Sequence, residues 1–222
     1  MRYLLRVILP DVPGSLGAVA SAIASTGADT VSVDIVDKLD HLVVDDIVID
    51  TGLVQMPDGV LSAVQRLSGV HVESVRPFDG ALSVHRELQL LEAMSLDPEG
   101  SIQLLVDEVP RIFRSGWGLI VRDDGTVLLS SHSAPQLARV GPWKQLQTAK
   151  ILDPHTDPVP SEWTTLDTSL MAVPYGRNRA VVAGRPGGPD FRPSELSRLV
   201  HLVGLTRSIW LRFVKSQSPR TD

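Results

Sequence analysis

The stretch Asp11-Val12-Pro13-Gly14-Ser15-Leu16-Gly17-Ala18-Val19 decides how the first third of this chain folds. It follows an apolar run, Tyr3-Leu4-Leu5-Arg6-Val7-Ile8-Leu9, that reads as a buried strand. It leads into a segment where Leu16, Val19, Ala20, Ile23 and Ala24 recur at helical spacing on one face. A strand that passes straight into a helix needs a tight turn. Pro13 sets φ near the helical value, and Gly14 removes the side chain where the backbone bends and a small ligand approaches. The first N–H groups of the helix then lack partners and carry partial positive charge, which is a place to hold a carboxylate.

Gly27 ends that helix. From Thr30 to Asp37 the chain alternates, with Val31, Val33 and Ile35 on one side and Thr30, Ser32 and Asp34 on the other. A turn over Lys38 to His41 leads to a second strand, Leu42 to Asp50. Pro57-Asp58-Gly59 opens another helix with Val60, Leu61, Val64 and Leu67 as its apolar stripe, and Gly69 closes it. Val70 to Val75 is the last strand of the region. The order is βαββαβ, the split βαβ or ferredoxin-like unit.

Residues 2–78 resemble an ACT domain, the regulatory amino-acid-binding module of many metabolic enzymes. The likeness is carried by Asp11, Pro13, Gly14 and Leu16, in the pattern strand-Asp-x-Pro-Gly-x-Leu-helix, and by the element order around them. It implies side-by-side pairing of two copies and an amino acid bound near their interface by this loop. The implied ligand site is Asp11, Val12, Pro13, Gly14, Ser15 and Leu16, with Asp34 and Ile35 of the facing strand completing it. In that arrangement backbone N–H groups at Gly14, Ser15 and Leu16 take the carboxylate, and Asp11 takes the ammonium or fixes the turn. The plainer reading of Pro13-Gly14 is a strand-to-helix turn that holds nothing.

Composition sets the remaining bounds. A chain of 222 residues has room for two modest domains, and 43% hydrophobic residues supply a packed core for each. With no cysteine, disulfides, thiolate metal sites and a cysteine nucleophile are excluded, which fits a reducing, cytoplasmic location. No apolar run approaches the roughly 20 residues of a membrane span, and Arg6 and Asp11 interrupt the N-terminal apolar stretch where a secretory leader is continuous. The net charge of −5 is uneven: residues 1–80 carry −6 and residues 81–222 carry +1. An acidic first part argues against a nucleic-acid partner there. Asp34, Asp37, Asp40, Asp45, Asp46 and Asp50 lack the spacing and glycine hinge of a calcium loop, and read as solvated strand faces and a hairpin tip.

After Asp79-Gly80 a connecting helix over 81–96 is expected, with Val84, Leu88, Leu91 and Met94 on one face. Asp97-Pro98-Glu99 starts a further helix with Ile102, Leu105, Val106, Val109, Ile112 and Phe113 as its stripe, and Pro110 inside it predicts a kink. Trp117–Arg122 and Thr126–Ser131 flank Asp123-Asp124-Gly125, a hairpin signal that favours a type I′ turn. Residues 132–166 read as irregular, and a second hairpin follows over Ser169–Pro174 and Arg179–Gly184. Pro193, Ser194 and Glu195 begin a long last helix that buries Leu196, Leu199, Val200, Val203, Trp210 and Phe213 or Val214. Residues 216–222 read as a flexible tail.

This part, residues 97–215, resembles a GAF-like domain, in the wider group of sensory domains that includes PAS: an antiparallel sheet with flanking helices. The likeness lies in Trp117–Ser131, Leu170–Arg185 and Phe191–Trp210, without an invariant motif, so no ligand class comes with it. The expected fold class is therefore α+β, a ferredoxin-like ACT-like domain over 1–80 followed by a GAF/PAS-like one.

No motif for chemistry emerges. The six histidines, His41, His71, His85, His132, His155 and His201, lack compact metal spacing. Gly14-Ser15-Leu16-Gly17 is not a nucleophile elbow, and no Walker loop or dinucleotide fingerprint is present. Trp143, His155 and Trp163 read either as a pocket lining or, more simply, as core covering the sheet. The leading expectation is a non-enzymatic sensor without a cofactor, binding a free amino acid as a homodimer and relaying to an unidentified protein partner. The alternative is an enzyme with its site at the domain junction, where His85, Arg86 and Glu87 are the first suspects.

Overall fold

The structure is a computed structural model that describes residues 1–52, 57–78 and 83–217. The chain divides into two compact units, Met1–Gly80 and Ala81–Asp222. Both are α+β. Among the described residues there are two antiparallel sheets and five α-helices.

The first unit runs β1 (Arg2–Pro10), α1 (Ser15–Ser25), β2 (Asp29–Leu39), β3 (Leu42–Asp50), α2 (Asp58–Gln65), β4 (His71–Pro77). Its sheet has the order β2-β3-β1-β4 with every neighbouring pair antiparallel. Period-two alternation puts Leu5, Val7 and Leu9 of β1 and Val43, Ile47 and Ile49 of β3 on one face, where they pack with Val19 and Ile23 of α1 and Val60 and Val64 of α2. On the opposite face Arg6 is paired in register with Asp46 and donates to it through Nε (2.8 Å) and Nη2 (3.0 Å). Both side chains are buried, so the bidentate pair compensates two charges taken out of water.

Four local expectations shift. The helix begins at Ser15, so Pro13 lies outside it in the turn. Gly14 caps it with φ +93°, a conformation that favours glycine, and a Cβ there would meet open space. The buried stripe of α1 is Val19 and Ile23 with Ala22 against it, while Leu16 and Ala24 are exposed. In β2 the register slips between Thr30 and Ser32 and again between Ile35 and Asp37. These bulges break the expected alternation: Val33 reaches the core, but Val31 and Ile35 are exposed. Finally, the aspartates of β3 are not all solvated, because Asp45 and Asp46 are buried.

The second unit contains α3 (Ser83–Leu96), α4 (Ser101–Ile112), β5 (Trp117–Arg122), β6 (Val127–Ser130), β7 (Lys150–Leu152), β8 (Ser169–Pro174), β9 (Arg179–Arg185) and α5 (Pro193–Gln217). Its sheet order is β6-β5-β9-β8-β7, antiparallel throughout. One face presents Ile120, Met171, Val173, Val181 and Ala183 to the three helices. The other presents Leu119, Val121, Leu170, Ala172 and Val182 to the crossover after β6. There Trp163 is fully buried, 5.8 Å from the Trp117 ring and 5.2 Å from the Trp143 ring. The tryptophans are thus core, and His155 stays exposed.

Here too the structure corrects details. α3 is more than a connector, since Leu90 and Met94 enter the unit's core while Leu88 is 62% exposed. Val84 belongs to the residues whose side chains lie outside the described set. Pro110 falls in the last turn of α4, which ends two residues later. The β5–β6 turn is not type I′. Gly125 alone takes positive φ (+83°), its N–H donates to Arg122 C=O, and Arg122 N–H donates to Thr126 C=O, so a three-residue turn closes on a left-handed glycine. β7, inside the stretch read as irregular, pairs with β8. α5 buries Leu199, Leu202, Val203 and Thr206, and leaves Val200 and Val214 exposed. Residues 216–217 continue this helix, and 218–222 lie outside the described residues. Glu195 does more than complement the helix dipole: it accepts from the Arg192 N–H (2.9 Å) and pairs with buried Arg185 (2.6 Å). Arg185 also donates to the carbonyl of Phe113, tying the end of α4 to the start of α5.

Candidate functional site

A cavity of about 130 Å³ opens beside the first turn of α1. Four segments line it: Leu9, Pro10, Asp11 and Val12 at the end of β1, Ser15 and Leu16 of α1, Ile35 and Lys38 of β2, and Val43 and Asp45 of β3. The topology explains the gathering. β1 and β3 are neighbours, and the register sets Leu9 opposite Val43 and Ile35 opposite Asp45. The bulge after Ile35 brings Lys38, three residues on, to the same cavity.

The charges around it have both signs. Lys38 Nζ donates to Asp11 Oδ2 at 3.2 Å, and both side chains remain largely exposed. Asp11 is held by its own N–H, which donates to His41 C=O at 2.8 Å, so the β2–β3 tip braces the loop. Asp45 differs. It is 2% exposed, and its Oδ1 is buried without a hydrogen-bond donor. Burial pushes its carboxyl above the ordinary carboxylate range, Asp46 and Asp11 push the same way, and Lys38 opposes them. An acceptor in that state is costly unless a donor reaches it.

At the helix end, the N–H of Ser15 is already used, donating to Val12 C=O at 3.2 Å. The helical ladder begins with Ala18 N–H to Gly14 C=O, so the N–H groups of Leu16 and Gly17 have no acceptor among the described residues. Of the donors expected at Gly14, Ser15 and Leu16, the Ser15 N–H is therefore already engaged within the chain.

Of the expected site residues, Asp11, Val12, Ser15, Leu16 and Ile35 line the cavity. Pro13 and Gly14 do not; they are exposed in the turn, where they set its course. Asp34 does not either, because it is paired with Asp46 and alternates away from Ile35. Lys38, Val43 and Asp45 line the cavity too, outside the residues expected from the sequence. The signal for Asp45 was present: two adjacent carboxylates inside Val43-Val44-Asp45-Asp46-Ile47-Val48 cannot share a face of a strand.

Elsewhere the signals are weaker. A shallow groove of about 490 Å³ runs along β6 between Gln103 and Gln136, and no ionisable side chain lines it. Glu87 is engaged by Arg198 of α5, and His85 is exposed. Among the described residues no group of three metal-binding side chains occurs. No described helix is long and apolar enough to cross a membrane.

No family model matches the chain, and no curated protein matches it. Solved structures with a similar course of backbone include the GAF domain of phosphoenolpyruvate-protein phosphotransferase from Acinetobacter. That domain is 12% identical, with 64% of this chain and 99% of that chain covered at a TM-score of 0.47. A bacteriophytochrome from R. palustris is 10% identical over 97% of this chain and 59% of its own, at a TM-score of 0.43. The phytochrome photosensory core module of Stigmatella aurantiaca is 11% identical over 86% and 43%, at 0.40. All three scores lie below 0.5, so the likeness is confined to the general course of the backbone.

Proposed function

We propose that this chain is a regulatory small-molecule sensor, with an ACT-like first unit that binds a free amino acid and a GAF-like second unit that relays the signal. The observation that carries the reading is the cavity at α1, which sets Lys38 and the first turn of the helix beside the carboxylates of Asp11 and Asp45. A zwitterion needs both. Lys38 and the Leu16 N–H at the start of α1 suit its carboxylate, and an aspartate suits its ammonium. The βαββαβ order and the sheet order β2-β3-β1-β4 support an ACT-like, ferredoxin-like unit. A five-stranded antiparallel sheet with helices on one face and a long crossover on the other supports a GAF-like unit.

The same unit is proposed to pair with a second copy. β2 is an edge strand, and Val12, Leu16, Ile35, Leu39 and Leu42 are exposed apolar residues around the cavity and the adjoining hairpin tip.

A thermal-shift screen of the full chain against the twenty amino acids at millimolar concentration tests the sensing role. A native-state ligand at about one hundred times its Kd stabilises by about 2.7 kcal/mol. At least one amino acid is expected to raise the melting temperature in this way; no shift with any of them would contradict the reading.

A further inference from the structure

Asp45 is the least comfortable group in the first unit. Its Oδ1 is buried with no donor among the described residues, and Asp45 is one of the residues that line the cavity. A buried acceptor of this kind calls for a donor, and the cavity is where one would arrive. Asp11 does not fill this role, since it is exposed and already holds Lys38. The rest of the lining is mostly aliphatic: Leu9, Val12, Leu16, Ile35 and Val43. At about 130 Å³ the space is slightly smaller than the ~150 Å³ cavity known to hold benzene.

We propose that this cavity takes a small aliphatic α-amino acid, of alanine to valine size, with its ammonium on Asp45. The inference rests on the amino-acid reading above and narrows it. The ammonium donates to the Asp45 carboxylate, the carboxylate of the ligand faces Lys38 and the start of α1, and the side chain meets the aliphatic wall. A second positive charge, as in lysine, finds Asp11 already engaged by Lys38. A second carboxylate, as in glutamate, meets two aspartates. An aromatic ring together with a zwitterionic head exceeds the space.

Calorimetric titration of the full chain with L-alanine, L-valine, L-phenylalanine, L-lysine, L-glutamate and 2-oxoisovalerate tests this. Alanine or valine should bind most tightly. The 2-oxo acid, which has the carbon skeleton and carboxylate of valine but no ammonium, should bind at least tenfold more weakly. Asp45→Asn should weaken valine at least tenfold while its ligand-free melting temperature does not fall, which separates lost binding from lost fold. Tightest binding of phenylalanine, lysine or glutamate overturns the ligand class and leaves the amino-acid reading intact. Equal binding of the 2-oxo acid, or an unchanged Asp45→Asn, overturns the role of Asp45. Binding of none of the amino acids overturns both.

Discussion

At the residue scale the account turns on carboxylates whose fates differ although they share one strand. Asp46 is neutralised by a two-pronged Arg6, and Asp50 is held by the N-terminus and Arg2 near the surface. Asp45 has neither. Its carboxyl is raised above the ordinary value of 3.8, so the folded chain binds more protons than the unfolded chain between that value and the raised one. Asp45 therefore lowers stability as pH rises through that window, and the loss is complete above it. Asp45→Asn should raise the stability of the ligand-free protein at neutral pH by about 1 kcal/mol. The gain should vanish at acid pH, where both forms are neutral. Urea unfolding at the two pH values checks this, and a variant less stable than wild type at neutral pH would count against it. Asp11, Val12, Ser15 and Leu16 share the cavity because a strand-turn-helix brings its own ends together, and Ile35 joins them through its pairing with Asp45. Lys38 was not legible in the sequence, because the bulge that turns it toward the cavity leaves no mark in the spacing.

At the scale of elements, most boundaries were legible. β3 and α2 follow from apolar runs bounded by glycine and proline, and α5 from Pro193 with a long helical stripe. What period alone misjudged was rotation and register. The core picks Val19, Ala22 and Ile23 of α1 over Leu16, because the first turn of α1 lines the cavity instead of resting on the sheet. β7 was missed because three residues are too short to show alternation. The turn before α1 allows a contrast between two glycines. Gly14 has φ +93°, whereas Gly17 is helical with open space around its missing Cβ. Gly14→Ala should destabilise by about 1–2 kcal/mol through the left-handed backbone. Gly17→Ala should stabilise by roughly 0.5–1 kcal/mol. Equal effects in thermal unfolding would show that the turn does not constrain Gly14 in this way.

For the whole molecule, the sequence divides where composition does, an acidic first part and a nearly neutral second one, and the contacts divide the chain into Met1–Gly80 and Ala81–Asp222. The buried pair Arg185–Glu195 was not foreseeable, because its partners belong to separate elements that only the fold brings together. The proposed pairing rests on the edge strand β2 and the exposed apolar residues beside it. Sedimentation at tens of micromolar, an ordinary range for specific association, should report a dimer, and Ile35→Lys should shift it toward monomer; a wild-type monomer would contradict the pairing. The central claim is that the first unit holds an amino acid at the start of α1. Amide resonances of the full chain, followed during titration with L-valine, test it most directly. The account predicts the largest shifts at Asp11, Leu16, Gly17, Lys38 and Asp45, with Trp163 and its neighbours in the second unit little affected. Shifts centred on the second unit, or none at saturating valine, would contradict it.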